Sequence, residues 1–154
     1  GHEFKLRSGT ENVPGIVGFA KAVKIANDFD VKKMKKMRDE IIKKILGIPN
    51  TKLNGSEGDK RLANNINVSF MNIEGEAIGS FLNSKGIFTS TGSACSSKSL
   101  EPSHVLLALG MSPLEANSSI RITISKFTTE DEIKFFLEEL NKTVEKLRKI
   151  SPIK

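Results

Sequence analysis

Ser119-Ile-Arg-Ile-Thr-Ile-Ser125 alternates apolar and polar residues without a break. At a period of two, Ile120, Ile122 and Ile124 fall on one face and Arg121 and Thr123 on the other, the pattern of a half-buried strand. Thr129-Glu-Asp-Glu132 follows and has the form of a capping box. Behind it Ile133, Phe136, Leu137, Leu140, Val144 and Leu147 recur at helical spacing and make one stripe. A strand with one apolar face, followed by a long helix with one apolar stripe, sets the terms for the rest of the chain.

Upstream, Ile66-Asn-Val-Ser-Phe70 alternates in the same way, and Ile87-Phe-Thr89 reads as a second short strand. Helices surround them. Pro14 suits a first turn, and Ile16, Val17, Phe19, Ala20, Val23 and Ala26 continue at helical positions. After a bend near Asp28 to Asp30, a second helix runs from about Val31 to Leu46, stopped by Gly47 and Pro49. The turn-rich, charged residues 50–64 read as a surface loop. Ile73 to Lys85 is a helix closed by Gly86, Ser99 caps a helix from Leu100 to Leu109, and Ser112-Pro-Leu-Glu115 is another capping box. The mixture lacks a βαβ rhythm long enough for a doubly wound sheet. The expected class is α+β: a small, mainly antiparallel sheet of three or four strands packed against helices.

At 154 residues the chain suits one domain with a real core. No apolar run is long enough to cross a bilayer and no signal-peptide pattern opens it, and its single cysteine cannot form an internal disulfide. A reducing, cytoplasmic setting is the simplest expectation. The net charge of +6 permits attraction to acidic partners. In the densest basic run, Lys32 to Arg38, the stripe Met34, Met37, Ile41, Ile45 leaves the lysines on the outer face, so a solvated helix face outweighs a nucleic-acid patch.

The lone cysteine sits in Ser90-Thr-Gly-Ser-Ala-Cys-Ser-Ser97, where every neighbour is small or hydroxylated. Little side-chain bulk is present to bury Cys95, and the helix expected behind it would favour a thiolate if the loop folds over its N-terminus. Equally, Cys95 can be one more small residue on a tight turn. His2 lies in the polar start, and the spacing of His104 from Leu107 favours a packed, hydrogen-bonded role. One Cys and two scattered His give no metal-ligand spacing. Arg121, between two isoleucines on a strand, faces either water or a carboxylate in a cleft that its planar fork would hold.

Arg7-Ser-Gly-Thr-Glu-Asn-Val-Pro-Gly-Ile-Val-Gly-Phe-Ala-Lys-Ala22, Ser90 to Ser97, Leu100-Glu-Pro-Ser-His-Val-Leu-Leu-Ala-Leu-Gly110 and Ser118 to Ser125 occur in this order in one family. The chain closely resembles the C-terminal portion of a cysteine desulfurase, a pyridoxal-phosphate enzyme of the aspartate-aminotransferase fold type. The resemblance covers essentially the whole chain. It implies that residues 1–13 lead in from a cofactor-binding domain and that 14–154 form the small C-terminal domain, with the catalytic-cysteine loop at about 90–98.

It further implies a reaction. Cys95 matches the nucleophile that takes sulfur from L-cysteine as a persulfide, with release of L-alanine, for iron–sulfur cluster assembly or tRNA thiolation. Cys95 also matches the residue that hands sulfur to a scaffold protein and can share a transient [2Fe-2S] cluster iron with it. Arg121 matches the arginine that holds the substrate carboxylate, and Thr10 matches a threonine reaching the cofactor phosphate of the partner subunit in a homodimer. The lysine that anchors pyridoxal phosphate belongs to the N-terminal cofactor domain of such enzymes and has no counterpart here, so the 154 residues alone are expected to be inactive. A stand-alone persulfide carrier and a dimerisation or scaffold-docking module are the competing readings. A selenocysteine lyase would share the fold, but Gly92-Ser-Ala-Cys-Ser-Ser97 favours a desulfurase.

Overall fold

A computed structural model of the chain describes residues 3–26, 28–91 and 101–151, without the side chains of residues 28 and 29. The elements are α1 (Val13–Ile25), α2 (Asp28–Leu46), β1 (Thr51–Leu53), β2 (Asn65–Phe70), α3 (Gly75–Asn83), α4 (His104–Ala108), α5 (Pro113–Asn117), β3 (Ser119–Thr123) and α6 (Glu130–Ile150). The strands form one antiparallel sheet in the order β1-β2-β3, with Thr51 opposite Phe70 and Val68 opposite Ile120. This is the α+β architecture that the two periods predict.

Alternation gives the sheet two unlike faces. Ile66, Val68 and Phe70 of β2 and Ile120 and Ile122 of β3, with Ile124 beyond it, are buried on one side. There they join Met37, Ile41 and Ile45 of α2, Ile78 and Leu82 of α3, and Phe136, Leu137, Leu140, Val144 and Leu147 of α6 in one core. Each such side chain contributes about 1.5–3 kcal/mol by leaving water. The α6 stripe is the one the sequence predicts, and the Thr129–Glu132 capping box is formed in both directions. The other face of the sheet is polar. Asn67 stands directly opposite Arg121 and Ser69 opposite Ser119, and residues so paired project to the same side.

The polar face is held at one end by α5. Ser69 Oγ donates to the Glu115 carbonyl at 2.9 Å, and the Ser112–Glu115 capping box fixes the first turn of α5. Asn54, buried beside β2, donates from Nδ2 to Asn67 Oδ1 at 2.7 Å and to Ser69 Oγ at 2.8 Å. On the opposite side α3 starts tight against β3. A Cβ on Gly75 would lie 2.2 Å from the Ser119 carbonyl oxygen, so only glycine permits this approach.

Several expectations need correction. Thr51 to Leu53, read as loop, is a strand, because β2 offers it a ladder that no local pattern announces. Ile87 to Thr89 is not a strand. The only pairing there is a bridge from Ser90 to Arg121. The helix expected from Leu100 is found only over His104–Ala108, and Ser103 occupies its N-cap without a side-chain bond. Ser99 and Leu100, like Cys95, lie outside the described residues. In the basic run Lys32 to Arg38 the lysines do lie on the outer face, with Lys35 half-buried, but Arg38 at its end is fully buried. None of the residues of α1 is buried, although Ile16, Val17, Phe19, Val23 and Ile25 are all large and apolar.

Candidate functional site

The polar face of the sheet is the floor of a cavity of about 410 Å³. Asn67 and Arg121 supply the floor, Asn54 to Asn65 one wall, and Ser103 with α4 the other. Lys60, Arg61 and Arg121 all line it, and among the described residues no carboxylate does. Three guanidinium or ammonium groups thus surround one hollow, with Glu57 near Arg61 but outside the lining, an arrangement that favours an anion.

Arg121 is the best placed of the three. Its backbone N–H donates to the Ser90 carbonyl at 2.5 Å, and its carbonyl accepts from the Ser90 N–H at 3.1 Å. With both backbone groups turned to Ser90, Arg121 and Asn67 form a non-hydrogen-bonded pair, the kind in which side chains stand closest. The side chain is exposed, and among the described residues no hydrogen bond or ion pair engages its guanidinium. Five donors therefore remain for a planar acceptor such as a carboxylate.

Arg61 is already committed. Nε donates to the Ser56 carbonyl at 2.6 Å, Nη1 to Asn65 Oδ1 at 3.1 Å, and Nη2 to the Asn54 carbonyl. Burial, and after it the charge of Arg38, push its guanidinium below the ordinary arginine value. Lys60 is exposed at the rim. His104, expected to be packed, is exposed and lines the cavity, because the short α4 turns Leu106 inward instead.

Cys95 falls outside the described residues, and so does the expectation that 90–98 reach away from the sheet with an exposed thiol. The residues flanking the segment are Thr91 and Glu101. Thr91 lines the cavity and Ser90 is the residue bonded to Arg121, while Glu101 is exposed outside the lining, which the chain rejoins at Ser103. Thr10 is elsewhere. It is exposed on a turn in which Gly9 has φ of 98°, and the Arg7 guanidinium donates to its carbonyl at 2.9 Å. Of the residues singled out from sequence, the cavity gathers Arg121 and His104 and not Thr10. Lys60, Arg61, Asn54 and Asn67 went unnoticed, since only strand register and a folded loop bring them beside Arg121.

Among the described residues, no helix is long and apolar enough to cross a membrane. The chain matches the family model described as aminotransferase class-V over residues 1–136. It is 47% identical to the cysteine desulfurase IscS of Methanosarcina thermophila over 98% of this chain and 38% of that protein. Among solved structures, a NifS-like protein from Rickettsia africae is similar with a TM-score of 0.79 and 31% identity, over 94% of this chain and 38% of the other. A second, SspA in complex with cysteine, is similar with a TM-score of 0.55 and 29% identity, over 84% and 35%. The chain spans about two fifths of the length of the curated relatives it matches, 38% and 41% for two of them. With its match over 136 residues and a sheet-and-helix arrangement shared with NifS-like proteins, this chain belongs to the class-V aminotransferases.

Proposed function

We propose that this chain is the C-terminal part of a cysteine desulfurase and supplies its substrate-carboxylate clamp and its sulfur-accepting thiol. The observation that carries the reading is the Arg121 guanidinium, which no hydrogen bond or ion pair engages among the described residues, set in a hollow that Lys60 and Arg61 also line, with Thr91 before the Cys95 segment and Ser103 after it in the same lining. Arg121 holds the carboxylate of L-cysteine, which orients the substrate sulfur toward the segment that bears Cys95. The Cys95 thiolate attacks that sulfur and a sulfur–sulfur bond forms. The carbon–sulfur bond of the substrate breaks, its electron pair stays with the carbon and is protonated, and L-alanine leaves a Cys95 persulfide behind.

The donors present fit two ends of a pyridoxal-phosphate site. Arg121 suits the amino-acid carboxylate, and Thr10, an exposed hydroxyl close to the Arg7 cation, suits a phosphate, here that of the partner subunit in a homodimer. Among the described residues Lys60 is the one lysine lining the cavity, and it is exposed on a surface turn. The anchoring lysine is therefore assigned to the remaining part of a longer protein, for which the uncovered apolar residues of α1 offer a seat. When bound, pyridoxal phosphate supplies the electron sink that makes carbon–sulfur cleavage feasible. The persulfide then serves a cytoplasmic acceptor, an iron–sulfur scaffold with which Cys95 shares a transient [2Fe-2S] iron, or a tRNA-thiolating partner.

The test is Cys95→Ser in the full-length protein. Alanine release from L-cysteine should fall to background while pyridoxal-phosphate binding, read by absorbance, is unchanged. Alanine release at the wild-type rate from the serine variant would exclude Cys95 as the sulfur acceptor.

A further inference from the structure

Arg38 is a charged side chain in the core with no role in the site just described. It lies on α2 with no exposed surface, between Met37 and the Ile41 turn that pack on the sheet. Its five N–H donors are all used. Nε and Nη2 donate to Asp39 Oδ1 at 2.9 and 2.7 Å, Nη1 to the carbonyls of Arg61 and Leu62 at 2.8 and 3.0 Å, and Nη2 to the Gly58 carbonyl at 3.1 Å. Asp39 is more than half exposed, so it offsets little of the desolvation of a buried cation. A leucine or methionine would fill the same volume without that penalty. What only a guanidinium can do there is grip three backbone carbonyls of an irregular segment at once.

That segment is otherwise held mainly at its ends. Asn54 N–H donates to the Asn67 carbonyl at 2.9 Å and the Asn64 carbonyl accepts from the Ile124 N–H at 3.2 Å. Between them the one regular piece is the single turn Gly58–Lys60, its backbone bonds are local, such as Lys60 N–H to Glu57 and Arg61 N–H to Gly58, and its other tie to α2 is Lys35 to the exposed Asp59. Arg61 continues the grip, tying Ser56, Asn54 and Asn65 to the same wall. We propose that Arg38 is a positioning residue: through Gly58, Arg61 and Leu62 it sets the wall facing Arg121, and so tunes the affinity of the cavity for an amino-acid carboxylate without touching it. The ligand named rests on the desulfurase reading, while the clasp itself rests on the geometry alone.

Two measurements separate them. In this chain, hydrogen exchange of the Lys60, Arg61 and Asn65 amides should speed up at least about tenfold in Arg38→Met, with β3 and α6 amides unchanged. In the full-length protein, Arg38→Met should raise the KM for L-cysteine by about tenfold to a hundredfold with kcat within about twofold, as a displaced binding wall would. Ile41→Ala, which weakens the same helix but leaves the clasp, should not move KM. Should Arg38→Met fail to fold, Arg38→Lys, which keeps the charge but cannot span three carbonyls, should show the same split in smaller measure. Unchanged exchange at residues 60–65 overturns the clasp whatever the protein does with cysteine. Faster exchange with an unchanged KM, or an equal KM rise in Ile41→Ala, overturns its link to the site. A wild-type protein that turns over no cysteine refutes the desulfurase reading and leaves the exchange result to decide the clasp.

Discussion

Removing the Arg121 side chain tests the carboxylate clamp without disturbing the fold that presents it. The backbone bonds of Arg121 to Ser90 and the β2–β3 register survive Arg121→Ala, and no described side chain loses a partner. Stability should therefore change by no more than about 0.5 kcal/mol, as for an exposed residue outside any network. A charge-assisted contact to a carboxylate is worth about 1.5–3 kcal/mol. At about 1.4 kcal/mol per factor of ten, that is a rise of roughly tenfold to 150-fold in KM for L-cysteine. The guanidinium is exposed in this chain, which favours the lower half of that range unless other residues shield it. The assay is alanine release by the full-length enzyme across a range of cysteine concentrations, beside a thermal melt. Arg121→Lys should recover only part of the loss, since an ammonium cannot make the planar two-point contact. A wild-type KM in Arg121→Ala, with the melt unchanged, would refute the assignment and leave the cation-lined cavity without its anion.

Two further outcomes follow from the packing and the charges. Gly75→Ala forces a methyl against the Ser119 carbonyl, a backbone atom that cannot swing aside. It should cost about 1–3 kcal/mol, a drop of roughly 2–12 °C in a melting scan, and a melt equal to wild type would mean α3 slides freely. The Glu115 carboxyl is held at about 2 against an ordinary 4.5, chiefly by the Ser112 backbone N–H and then by Lys52. Its folded value is depressed, so its contribution is complete above about 4.5 and disappears as pH falls toward about 2. The stability gap between wild type and Glu115→Gln should close over that window, and a gap that stays constant through it would show the carboxylate to be unheld.

Where local pattern and environment agree, the sequence is legible. Ile120, Ile122 and Ile124, the α6 stripe and both capping boxes could be read directly, since each depends on residues within a turn or two of one another. β1 could not be. Three residues, Thr51 to Leu53, become a strand only because Phe70 to Val68 lie alongside them. Ile87 to Thr89 failed in the opposite sense, having the right residues but no ladder to join. Arg38 stands in a run of lysines and shares their composition. Its burial is set by carbonyls 20 to 24 positions away, a separation that periodicity does not reach. The same holds for the cavity. Arg121 was conspicuous between isoleucines, whereas Lys60 and Arg61 beside it needed the loop to be folded.

The bridge from Ser90 to Arg121 fixes a pivot. Thr91, next in the chain, is four residues before Cys95, and a fully extended chain gains at most about 3.6 Å per residue. Whatever path the segment takes, the Cys95 Cα stays within about 14 Å of Thr91, and six residues on the other side tether it within roughly 22 Å of Glu101. The sulfur is thus on a short leash whose fixed end is the strand that carries Arg121. If Cys95 accepts the sulfur as proposed, uptake and delivery share that one reach, measured from a residue that lines the cavity, and an acceptor has to come to it rather than wait for the thiol to travel.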